Sequence, residues 1–123
     1  MFQTAFSPSR RLNTRIPIRD DTWIYWQCKA HAEASRVLDI SLGGVFIQTK
    51  TPPAAGSTAE VHFLVQEGQI RAESVVRHAE PGCGMGLRFT AIKDEARPRL
   101  ISLMSRLRSI AAASRASSQT TPD

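Results

Sequence analysis

Between Thr22 and Thr90 the chain divides into six short runs rich in β-branched and aromatic residues, each bounded by turn-forming clusters. This regular spacing constrains the fold more than any other feature. The first run, Thr22 to Lys29, reads TWIYWQCK, and a return strand follows over 33–39 with Ala34, Val37 and Leu38 apolar. Val45 to Thr49 is the third run. Val61, Phe63 and Val65 then alternate with Glu60, His62 and Leu64, the period-2 pattern of a half-buried strand. Glu67-Gly68 predicts a hairpin turn into 70–79, and Pro81-Gly82-Cys83-Gly84 a turn into a sixth strand from Met85 to Thr90. Six short strands in one small domain predict a closed barrel, because closure removes the exposed edges through which sheets aggregate.

The period changes after Lys93. Leu100, Leu103, Met104, Leu107 and Ile110 recur at helical spacing, and Arg99, Arg106 and Arg108 fall elsewhere on the wheel. Asp94 is the expected N-cap, with Pro98 in or near the first turn. From about Ala112 the sequence, AASRASSQTTPD, predicts a disordered tail. The expected organisation is an arm over 1–19, a barrel with its helix over 20–111, and the tail over 112–123.

Composition narrows the function classes. Hydrophobic residues make up 41% and charged residues 22%, which excludes a disordered or collagenous chain. Two cysteines, Cys28 and Cys83, are too few for a disulfide scaffold. No run approaches the roughly 18 apolar residues of a membrane helix, and the opening MFQTAFSPSRR has no apolar stretch beside its arginines. A reducing, cytoplasmic setting is therefore expected.

The net charge of +5 is unevenly distributed. Residues 1–19 hold four arginines and no acid, residues 20–96 sum to −3, and residues 97–115 hold five arginines. A basic arm on a slightly acidic body suggests a localised anionic partner.

Two segments carry the candidate chemistry. One is Arg10-Arg11-Leu12-Asn13-Thr14-Arg15, and the other is Asp39-x-Ser41-x-x-Gly44, where Gly43 and Gly44 are read as turn residues that permit positive φ. An antiparallel hairpin of 22–29 with 33–39, turning near His31, would set Asp39 opposite roughly Trp23. That register brings the arm and the Asp39 turn to one end of the barrel. Guanidiniums at Arg10, Arg11 and Arg15 suit phosphates and the O6/N7 edge of guanine. Asp39 accepts from the N1–H and N2–H₂ edge, and Ser41 donates or accepts. Gly44 allows a flat ring close to the backbone. The set fits a guanine nucleotide that is bound and not chemically altered.

These residues, RxxxR at Arg11 and Arg15 followed by DxSxxG at Asp39, Ser41 and Gly44, resemble the paired motifs of PilZ domains, bacterial receptors for cyclic di-GMP. Gly84-Met85-Gly86-Leu87-Arg88-Phe89 is similar to the closing strand of that family, and Gly56 to Val65 to its fourth strand. The resemblance covers about residues 10–108. It implies a mainly β fold, a six-stranded antiparallel PilZ-type barrel with a C-terminal α-helix. It also implies arginines on phosphate and guanine, with Asp39 and Ser41 on the other base edges. The residue ahead of RxxxR, here Arg10, resembles the position that tunes stoichiometry, which points to two ligand molecules per chain.

Other arrangements are weaker. Gly82-x-Gly84-x-Gly86 precedes a strand and does not open a helix, so it is no dinucleotide loop. Cys28-x-x-His31 and His78 with Cys83 suggest a metal site on paper, but positions three apart on a strand face opposite sides, so Cys28 and His31 converge only if the turn begins between them. Ser41, His62 and Asp39 have no elbow or similar context for catalysis. Trp23, Tyr25 and Trp26 are read as barrel packing and rim. The expected function is a non-enzymatic receptor with no cofactor. Its arm orders over cyclic di-GMP and alters contacts with an unidentified protein partner. The alternatives are a sequence-tolerant nucleic-acid binder and a PilZ module that does not bind nucleotide.

Overall fold

The computed structural model of the chain describes residues 15–18 and 21–120. Seven strands precede one helix: β1 (Ile16–Pro17), β2 (Trp23–Cys28), β3 (His31–Ser41), β4 (Gly44–Gln48), β5 (Thr58–Leu64), β6 (Ile70–Glu80), β7 (Gly84–Ile92) and α1 (Arg97–Thr120). Every pairing is antiparallel. The strands run β3-β2-β5-β6-β7-β4, and β4 returns to β3, which closes a six-stranded barrel as the spacing of the runs predicts.

Closure depends on the length of β3. Its first half pairs with β2 and its second half with β4, with a bulge between Val37 and Asp39. The edge that β2 leaves open is taken by the short strand β1, where Ile16 faces Ile40 and Pro17 faces Asp39. Bonds from Ile18 N to the Leu38 carbonyl (3.0 Å) and from Val37 N to the Thr22 carbonyl (2.8 Å) bridge the interval.

Two expectations are corrected here. The β2–β3 hairpin turns at Lys29–Ala30, not near His31, so Trp23 faces Arg36. Asp39 faces Pro17, and the arm reaches the Asp39 end because it forms β1, not because of a longer hairpin. The proximal arm is also structural: Ile16 is 6% exposed and belongs to the core.

Alternation decides which side chains fill the barrel. Ile24, Trp26 and Cys28 point inward from β2, with Val61 and Phe63 from β5, Ile70, Ala72 and Val76 from β6, and Met85 and Leu87 from β7. The Trp26 indole N–H donates to Ser35 Oγ (2.9 Å), and Ser35 donates to Glu33 (3.0 Å), so the buried polar atom is satisfied. Trp23 and Tyr25 lie on the outer face, 42% exposed each.

Helix α1 caps the barrel. Leu100, Leu103, Met104 and Leu107 enter the same hydrophobic cluster as the strands. Arg106 clamps the β5–β6 turn through a fork on Glu67, Nε to Oε2 at 2.6 Å and Nη2 to Oε1 at 3.0 Å. The intrahelical ladder opens at the Ala96 carbonyl, bonded to Leu100 N at 2.9 Å. Asp94 therefore does not cap the helix. Pro98 sits in the first turn, where an N–H would have no partner. The helix also extends past Ala112 to Thr120. Ala111 to Ala113 and Ala116 favour helix strongly, and the first residue that bars it is Pro122.

Candidate functional site

The bulge in β3 creates the site. Before it, Ser35 and Val37 face inward; after it, Ile40 does. The extra residue inverts the parity, so Asp39 shares the outer face with Phe46, its partner on β4. Without the bulge, the aspartate and serine of the motif would face the core.

Outer-face residues then form rows across the strands. One row reads Ser41, Gly44, Arg88, and the next reads Pro17, Asp39, Phe46, Gly86, His78. A second bulge, between Val76 and His78 on β6, leaves both Arg77 and His78 exposed on this face while Val76 stays buried. The result is a cleft of about 600 Å³ lined by Arg15, Ser41, Gly43, Gly44, Phe46, Arg77, His78, Gly86, Leu87 and Arg88.

Its electrostatics are one-sided. Among the described residues the lining holds three arginines and no carboxylate. Asp39 is bonded to Arg15 at 2.6 Å, Nη1 to Oδ1, with the guanidinium 56% exposed and the carboxylate 29% exposed. One donor is thereby used, and the rest of the guanidinium fork is left for another acceptor. Glu80, two residues beyond His78, is held below the ordinary carboxylate range by the hydrogen bond to His78 (2.7 Å) and by Cys83.

Ser41 and the glycines form the tight end of the cleft. Ser41 is buried, its Oγ accepts from Gly43 N (3.2 Å), and it lies 3.4 Å from the Gly44 carbonyl as donor. Gly44 is not in the left-handed region that the turn reading anticipates; the glycines with positive φ are Gly56, Gly68 and Gly82. Its constraint is proximity. A Cβ there would overlap the Leu87 carbonyl oxygen of β7, with Leu87 C and Arg88 Cα at 3.1 and 3.2 Å. On β7, Gly84 and Gly86 leave a bare floor over which the Phe46 ring lies. A Cβ on Gly84 would come within 3.0 Å of that ring, and one on Gly86 within 3.6 Å.

Among the sequence-derived candidates, Arg15, Asp39, Ser41, Gly43 and Gly44 converge on this end of the barrel, while Arg10 and Arg11 lie outside the described residues. Trp23 does not line the cleft; it pairs with Arg36 and Leu64 on β2's other neighbours. Sequence reasoning missed Arg77, His78, Arg88 and Phe46. The one available signal was Gly82-x-Gly84-x-Gly86, whose period of two marks a glycine-bare strand face. Cys28 and His31 face each other at the hairpin end, and among the described residues no three His, Cys, Asp or Glu side chains cluster to hold a metal. No helix among them is long and apolar enough to cross a membrane.

Comparison with known proteins places this geometry. The PilZ domain of Escherichia coli YcgR with c-di-GMP has a TM-score of 0.68 at 16% identity, over 91% of this chain and 99% of that one. The Bacillus subtilis inhibitor of motility MotI/DgrA gives 0.65 at 19%, over 83% and 52%. The Borreliella burgdorferi PlzA protein in complex with c-di-GMP gives 0.59 at 14%, over 79% and 42%. The chain thus spans about half the length of MotI and less of PlzA. No curated protein matches the sequence. At these identities the structures establish the shared fold. The PilZ domain family itself matches residues 9–106, all of the described strands and the first part of the helix, and the chain belongs to that family.

Proposed function

We propose that this protein is a cyclic di-GMP receptor without enzymatic activity, in which Arg10, Arg11 and Arg15 grip the ligand and Asp39, Ser41, Gly43 and Gly44 form the opposing turn. The observation that carries the reading is the convergence of Arg15, Asp39 and Ser41 on a cationic, glycine-floored cleft in a PilZ fold. The YcgR and PlzA structures with c-di-GMP support the ligand class.

Binding draws the arm over the cleft, and the conformational entropy lost is offset by charge-assisted hydrogen bonds to phosphate. Arg15 precedes Ile16 directly, and Ile16 is a member of the cluster that includes Leu103 and Leu107 of α1. Tension on Arg15 is thus delivered to a strand packed against the helix, which offers a route to a protein partner. Arg10 adds a third guanidinium to the arm, which favours two stacked ligand molecules with four phosphate charges over one.

Calorimetric titration with cyclic di-GMP, GTP and cyclic di-AMP tests the reading. Adenine lacks O6 and the N1 and N2 donors, so each lost bidentate pair costs about 1–3 kcal/mol. Saturable binding of the guanine compound alone is expected, and Arg15→Ala should abolish it while the protein stays folded. Equal affinity for the adenine analogue refutes the reading. A salt-steep response to any single strand would instead favour nucleic-acid binding. Saturation at two ligands per chain, falling toward one in Arg10→Leu, is expected for the stoichiometry.

A further inference from the structure

The motif residues occupy only one side of the cleft. On the other side stand Arg77, from the bulge of β6, and Arg88, outward from β7. Adjacent strands are roughly 4.8 Å apart, so Ser41 and Arg88, separated by β4, lie about 10 Å from each other at the backbone. Asp39 and His78, separated by β4 and β7, lie about 14 Å apart by the same spacing. Gly44 and Gly86 leave the intervening surface without side chains of their own, and the ring of Phe46 forms the flat part of the floor.

Charge pairing separates the two sides further. Arg15 is held by Asp39, and elsewhere Arg36 approaches Asp21 (3.5 Å) and Arg97 approaches Asp94 (3.7 Å). The side chains of Arg77 and Arg88 have neither an ion pair nor a hydrogen-bond partner among the described residues. Two unpaired guanidiniums on a side of the cleft whose lining holds no carboxylate repel each other, and an anion placed between them relieves that repulsion. The β6 bulge strengthens the inference. A regular strand would send residues 77 and 78 to opposite faces, whereas here both are exposed beside Gly86.

We infer that Arg77 and Arg88 form a second cationic wall, which holds the phosphate of cyclic di-GMP farther from the arm while Phe46 supports the ring system between the walls. The inference rests on the receptor reading above. It uses the two-fold symmetry of the ligand: each cyclic dinucleotide, in a stacked pair as alone, presents two equivalent phosphates on opposite flanks, and the RxxxR arm with the Asp39 turn addresses only one flank. The fork of arginine suits each phosphate oxygen pair better than the point charge of lysine.

The test is titration of the full chain with cyclic di-GMP, comparing wild type with Arg77→Ala, Arg88→Ala, the double variant and Arg71→Ala. Arg71 is an exposed arginine of β6 facing His62, outside the cleft, and serves as the control. Each single change at the wall should weaken binding about 10-fold and the double change about 100-fold, as expected for the loss of one and two charge-assisted contacts. Arg71→Ala should leave affinity within about 2-fold. The dependence of affinity on salt should become shallower in the double variant, since fewer charges meet phosphate. Arg88→Lys should recover only part of the loss. Thermal melts check folding, and Arg→Gln variants at both positions serve if an alanine variant melts early.

A double variant that binds within about 3-fold of wild type overturns the second wall and leaves the receptor reading standing. A wild-type protein that gives no saturable cyclic di-GMP binding overturns the receptor reading, and this inference falls with it. A loss equal in the Arg71→Ala control would show a diffuse charge effect and also refute the wall.

Discussion

Gly44→Ala is the perturbation that tests most directly why the motif ends in glycine. The added methyl overlaps the Leu87 carbonyl oxygen, and its other near neighbours, Leu87 C at 3.1 Å and Arg88 Cα at 3.2 Å, are also backbone. No rotamer change relieves the clash. The end of β4 must move away from β7 by about 1 Å, which stretches a 2.8 Å hydrogen bond beyond useful length. The Phe89 N to Gly43 carbonyl bond, 2.8 Å, is the first affected, followed by the Gly44–Arg88 ladder pair. Two hydrogen bonds at about 1 kcal/mol each, plus about 1 kcal/mol of residual strain, give about 3 kcal/mol. For a domain of this size that corresponds to a fall in Tm of about 12 °C. Urea denaturation followed through Trp26 fluorescence, with a parallel thermal melt, measures it. Gly86→Ala is the internal control, because its Cβ would meet only Phe46 and His78 side chains at 3.6 and 3.7 Å. If Gly44→Ala melts within about 2 °C of wild type, the close-approach argument is wrong and the glycine serves the ligand alone.

Gly86→Ala itself should keep its Tm within about 3 °C, since removing a glycine also lowers unfolded-state entropy, yet weaken cyclic di-GMP binding by putting a methyl on the cleft floor; calorimetry with the folded variant checks this. Ile16→Ala should cost about 2–3 kcal/mol in chemical denaturation and reduce ligand affinity as well, because Ile16 anchors the strand that carries Arg15. Glu67→Gln should cost about 2 kcal/mol at neutral pH, between the value of an exposed pair and that of a fully buried one. The Arg106 fork holds the Glu67 carboxyl below its ordinary value of 4.5, so the stabilisation is complete above that pH and is lost as pH falls through the lower folded-state value. The wild-type advantage over Glu67→Gln should therefore shrink in melts taken toward pH 3, and a constant difference would refute the assignment.

Local chemistry made much of this protein legible in its sequence. Val61 and Phe63 alternate with polar residues because a half-buried strand has a period of two, and Leu100, Leu103, Met104 and Leu107 recur because a helix packs one face. Gly68 and Gly82 mark turns because their positive φ disfavours other residues. The paired RxxxR and DxSxxG motifs pointed to the family and to the site end of the barrel. What the sequence could not show depends on register. The bulges at Val37/Asp39 and Val76/His78 each insert one residue with no compositional mark, and each reverses the facing of the residues that follow. The fold alone therefore turned Asp39 outward and brought Arg77 and Arg88, distant from Arg15 in sequence, to the same cleft. It also recruited Ile16 from the apparent arm into the core, because β3 extends beyond β2 and its free edge needed a partner for its backbone hydrogen bonds.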